Sequence, residues 1–169
     1  AVSTDTQREK ENRVKKILFA LALAGAFACI PVSAQTVEVF LLSSAPESCP
    51  LRLPESVLDG VLDQLFEFGM MGMDVRPKAA SRDEFLAWLP NAETLGEYVD
   101  RVLLVWVSFL EDGSSWKLAV CEYRYMDNSG KELTRGTVKP LVPPSSLLDD
   151  IVVAGKKTGM ILATQALGL

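Results

Sequence analysis

The sequence predicts an α+β domain, a mixed β-sheet in the order β-α-β-α-β-β-β-α with helices packed mainly on one face. Three observations predict it. A short apolar run at 37–42 (VEVFLL) precedes an amphipathic helical stretch and a second short strand. A long apolar, β-branched run at 102–110 (VLLVWVSFL) then changes the period from helix to strand. From there, two turn sequences, Glu111-Asp112-Gly113-Ser114 and Asp127-Asn128-Ser129-Gly130, separate three successive strands, the pattern of an antiparallel meander.

The amino-terminal residues read as a leader. The apolar run 17–28 follows Lys15 and Lys16 and is about twelve residues long, too short for a bilayer span of ~20 apolar residues. Pro31 breaks it, and Val32-Ser33-Ala34 carries the small residues of a cleavage site, so the expected cut falls between Ala34 and Gln35. Residues 1–13 are polar and mixed in charge. They read as a gene-model extension, with initiation expected at Val14 and a signal peptide over 14–34. A second reading competes at the same place: Gly25-Ala26-Phe27-Ala28-Cys29 satisfies a permissive lipobox. Lipidation of Cys29 would anchor the protein to a membrane, the one route to a membrane that this sequence offers. Either reading places the chain in the periplasm.

Residues 35–169 form the expected single domain, long enough for a real core. Three acidic and five basic residues precede Gln35, leaving 19 acidic and 12 basic residues in the domain. With no block of Lys or Arg, a nucleic-acid footprint is not expected. The chain has no histidine, which removes the commonest general base and the commonest metal ligand together. Cys49 and Cys121 remain after the leader, an even count that permits one disulfide in an exported protein; the alternative is two unpaired thiols.

Each element has its own signal. Pro54 suits a first helical turn, and Leu58, Val61, Leu62 and Leu65 give the 3.6-residue stripe of a helix over 55–68, closed by Gly69 or Gly72. Residues 73–76 read as a second strand, ended by Pro77. Ser81 and Glu84 form a capping-box pair, with Phe85, Leu86, Trp88 and Leu89 as the buried side. Pro90-Asn91 interrupts, and a further helical stretch is expected from Ala92 to about Tyr98. Strands follow at 102–110, 116–126 and 131–139. Ser145 or Ser146 is expected to cap a last helix with Leu147, Leu148, Ile151, Val152, Ile161 and Leu162 as its apolar stripe.

Three stretches carry a resemblance. One is the first strand leading to a helix that ends in Phe66-Glu67-Phe68-Gly69. Another is Ala92-Glu93-Thr94-Leu95-Gly96-Glu97-Tyr98-Val99 with Val102-Leu103-Leu104. The third is Met126-Asp127-Asn128-Ser129-Gly130-Lys131. Over roughly 36–168 the chain resembles the amino-terminal domain of TolB and the wider CsgG-like and LpoB-like envelope proteins. The resemblance implies an envelope protein-binding module with no cofactor, and it transfers no site residues.

Motifs that suggest chemistry lack its context. Ser114-Ser115-Trp116-Lys117 and Lys157-Thr158-Gly159 match the S-x-x-K and K-T-G of penicillin-binding enzymes, yet the first spans a hairpin and the second interrupts a helical period. Met70, Met71 and Met73 could offer thioethers to a soft metal but read as packing at a helix end. Asp149-Asp150 reads as favourable charge at a helix start, and Ser43-Ser44 as a linker. The expected function is a non-enzymatic docking or assembly module for another envelope protein or a second copy of the chain. Trp116, Met70 and Met71 are the candidate contact residues. The alternatives are a small hydrolase using Glu111 and Asp112, or a carrier with an apolar cavity.

Overall fold

The computed structural model describes residues 34–90 and 95–169, and 34–169 make one compact unit. Residues 1–33, which hold Cys29 and all but the last residue of the expected leader, and residues 91–94 lie outside the described residues. Eight elements follow in the expected order: β1 (Thr36–Ser44), α1 (Arg52–Glu67), β2 (Met71–Val75), α2 (Arg82–Ala87), β3 (Arg101–Asp112), β4 (Ser115–Asp127), β5 (Glu132–Val138) and α3 (Leu148–Ala166).

The five strands form one mixed sheet in the order β2-β1-β3-β4-β5. β1 is parallel to both neighbours, with Thr36 opposite Met71 and Val37 opposite Arg101. β3, β4 and β5 are the antiparallel meander. Gly113 at the first hairpin and Gly130 at the second have positive φ, the conformation that tight turns ask of glycine. At the second, the Asp127 carboxylate accepts from the Ser129 and Lys131 backbone N–H groups and from the Ser129 hydroxyl.

Alternation along the strands divides the core in two. On one face, Val37 and Val39, then Leu103, Val105 and Val107, then Cys121, Tyr123 and Tyr125 pack beneath α1 and α3. On the other, Phe40, Val102, Leu104 and Met126 pack against Phe85 of α2 and Val99. The two long helices share the first face. They run side by side in the same direction, since Arg52 meets Asp149 at their starts and Asp63 meets Lys156 further along.

α3 departs from the expected stripe. Its buried residues are Ile151, Ala154, Gly155, Thr158, Gly159, Leu162, Ala163 and Ala166, while Leu147 is 69% exposed. The reason is close approach. A Cβ on Gly159 would lie 2.1 Å from the Val57 carbonyl oxygen, and one on Gly60 would lie 1.9 Å from that of Lys156. The helices touch backbone to backbone, so small residues face inward. Thr158 serves this seam: its hydroxyl donates to the Ala154 carbonyl and accepts from Leu141 N–H, fixing the connector that leads into α3. The cap is also displaced. Leu147 holds the N-cap position without a side-chain bond, and Ser145 accepts from Leu147 N–H instead.

The stretch after Pro90 is a second correction. Residues 95–100 carry turns and bends, not helix. Gly96 N–H is taken by the Glu38 carboxylate, and a Cβ there would sit 3.1 Å from that oxygen. Asp100 exchanges two bonds with Thr36, accepting from its N–H and donating to its carbonyl. These anchors to β1 replace helical bonds.

Candidate functional site

The sheet has two edges, and they are built differently. β5 carries Glu132, Arg135 and, beyond its end, Lys139. The Glu132 carboxylate receives Arg124 at 2.6 Å and Arg135 at 2.9 Å, and Arg124 beside it holds that carboxyl below its ordinary range. Charge of this kind discourages another strand from adding. β2 is short and apolar, Met-Gly-Met-Asp-Val, with one charge. Met71 N–H reaches the Gln35 carbonyl, so Met71, Met73 and Val75 bond inward to β1. The backbone groups of Gly72 and Asp74 therefore point outward. Among the described residues nothing hydrogen-bonds them.

A pocket opens at the carboxyl end of this edge strand. Its cavity is about 270 Å³, walled by Phe40, Val75, Pro77, Ala79, Phe85 and Trp88, with Arg76, Lys78 and Glu84 at its rim. Phe40 and Trp88 meet at 5.1 Å between ring centroids, tilted by 50°. The wall opposite the sheet is α2, a helix of six residues that would be marginal alone. Ser81 caps it by accepting from Glu84 N–H, as expected, while the Glu84 carboxylate reaches past Ser81 to Ala80 N–H, so the reciprocal half of the capping box falls one residue early.

Two arginines fix α2 to the sheet. Arg82, at its start, pairs with Glu122 of β4 at 2.6 Å and lies 5.2 Å over the Trp106 ring. Arg124 of β4, its side chain 11% exposed, donates to the carbonyls of Leu86 and Trp88 at the helix end. The pocket thus has a rigid floor and a pinned wall. Neither arginine carried a sequence signal, because pairing across forty residues becomes visible only once β4 lies beneath α2.

Glu38 lies deeper on the same face, 6% exposed. One carboxylate oxygen holds Gly96; the other has no partner among the described residues. It sits mid-strand, opposite Met73 on one side and Val102 on the other.

The residues singled out from sequence separate. Met70 is half-buried against the helical core, and Met71, 58% exposed, stands at the start of the β2 edge. Trp116 lies opposite Glu111 at the far end of the sheet, half-buried against the same core, so the three do not form one surface. Ala34 and Gln35 are exposed just before β1. The bridge allowed between Cys49 and Cys121 is not formed, and both thiols are free. Cys121 is fully buried in β4, where burial pushes its thiol up to about 12. Cys49 sits half-buried in the loop after β1 with its Sγ directed at the Pro50 carbonyl. The S-x-x-K is split between a turn and β4, and the K-T-G belongs to the helix seam. Asp149 contacts Arg52, and Asp150 contacts Ser145. Glu111 and Asp112 are exposed at the hairpin end.

No protein-family model matches this chain, and no curated protein matches it either.

Proposed function

We propose that the protein is an exported docking module of the cell envelope that takes an extended segment of a partner protein along the outer edge of β2. The observation that carries this reading is the open, apolar edge strand with an aromatic pocket at its end. Strand addition draws affinity from main-chain bonds and specificity from pockets for single side chains. Here Gly72 and Asp74 offer the main-chain groups, and the Phe40, Val75, Phe85 and Trp88 walls take an apolar anchor. The cavity, about 270 Å³, lies below the ~300–1,000 Å³ range of small-molecule sites, which favours a side chain over a carried ligand. Export rests on the leader read over 14–34 and cleavage after Ala34. Because β1 starts at Thr36, such a cut would leave all eight elements intact.

The test is photo-cross-linking in cells producing the full chain, with a photoreactive residue in place of Asp74 and, separately, of Arg135. Cross-links to protein in the envelope fraction from position 74, lost when Trp88 is replaced by Ala, are expected. Cross-links from 135 alone, or from 74 to cytosolic protein alone, would sink the reading.

A further inference from the structure

We infer that the segment docked on β2 is β2 of a second copy, paired antiparallel about a two-fold axis through Met73. This rests on the strand-addition reading and names its partner. A two-fold pair of strands must set outward-bonding residues opposite one another, which leaves few registers. With Met73 facing its own counterpart, Gly72 of each copy faces Asp74 of the other, and the outward N–H and C=O groups of all four residues are satisfied. Shifting by one pair in one direction would put the two Asp74 carboxylates face to face, and in the other would pair glycine with glycine and leave Asp74 beyond the strand. The favoured register also sorts the side chains. On the pocket face Met71 of one copy stands against Val75 of the other, so the exposed Met71 reaches the pocket mouth.

Charge supports the same partner. The end of β2 carries Arg76 and Lys78, exposed and basic. Its start follows the carboxyl end of α1, where Glu67, Phe66 and Phe68 border a depression and the last turn has no basic residue. Helix carboxyl ends favour cations. Antiparallel pairing lays the basic end of each copy on the acidic, aromatic end of the other, twice over. The result is one continuous ten-stranded sheet with the β5 edges outermost.

Sedimentation equilibrium on the purified protein tests this. A reversible dimer with micromolar Kd is expected, and Asp74→Pro, which removes an outward N–H without touching the β1 ladder, raises Kd at least tenfold. Glu67→Lys and Arg76→Glu each weaken the dimer severalfold, and the double exchange restores it. In a Cys49→Ser background, Met73→Cys forms an intermolecular disulfide on oxidation whereas Arg135→Cys does not. A chain that stays monomeric at millimolar concentration with no Met73→Cys cross-link overturns the inference, as does a dimer indifferent to both the Asp74→Pro and the charge exchanges. If cells then still give cross-links from position 74 to a different protein, docking on the β2 edge stands and only the second copy is wrong.

Discussion

The two faces of one sheet are held by different physics. Under α1 and α3 the core is buried and close-packed, and glycines let two helix backbones touch. Across the sheet, a six-residue helix is held by aromatic contacts and arginine pairs, and the irregular stretch 95–100 by hydrogen bonds to β1. The first face is the larger store of stability. The second shapes a pocket and can alter without dismantling the fold. Such local differences in stability are where binding surfaces are commonly found.

The sharpest way to break this contrast is at the helix seam. Gly159→Ala forces a methyl against the Val57 carbonyl, where no flexible side chain can yield. A loss of about 3 kcal/mol or more is expected in urea unfolding, as one cooperative transition. A milder change acts on the other face. Arg124→Met strands the Leu86 and Trp88 carbonyls and leaves Glu132 with Arg135 alone, at a cost of about 2 kcal/mol. Hydrogen exchange should show that loss confined to amides of 82–89. Equal loss of protection in α1 and α3 would erase the distinction between the faces.

pH separates the faces in opposite directions. Cys121 belongs to the helical face, and its thiol is pushed up to about 12, mainly by burial. Below the ordinary thiol value both folded and unfolded chains are protonated, and nothing is lost. Above about pH 9 the unfolded thiol ionises and the folded one does not, so stability falls by about 1.4 kcal/mol per pH unit. Cys121→Ala should flatten that alkaline limb in denaturation titrations. Glu132 behaves in reverse. Arg124 first, and then Arg135, hold its folded carboxyl low, so its contribution is full above the unfolded carboxylate value and disappears as pH falls through the folded one. The amides of α2 should therefore lose protection in acid before those of α1. Smallest of the set, Ser81→Ala removes the α2 cap at about 1 kcal/mol, read as faster exchange at Glu84 alone.

Much of the architecture was legible because strands and turns announce themselves locally. All five strands, the Ser81 cap and both hairpin turns fall within a few residues of where the pattern puts them. What failed depended on distant partners. The inward face of α3 is small because α1 lies against it, and the stretch 95–98 is not helical because Glu38 takes Gly96 N–H. Of the candidate contact residues, Met71 stands at the start of the open edge, while Trp116 lies at the other end of the sheet, a separation that depends on strand order and not on local pattern. Arg76 and Lys78 gave no signal, since two basic residues near a strand end become meaningful only beside a pocket.

The seam between the long helices has a consequence in time. Val57 waits for Gly159, about a hundred residues downstream, and nothing nearer can fill that place. Contacts of such long sequence separation form slowly. Until α3 is in place, the backbone of α1 at Val57 lacks the glycine seam that covers it. The seam cannot form on a chain that stops short of α3, so α1 gains its closest neighbour only from the far side of the whole sheet in sequence.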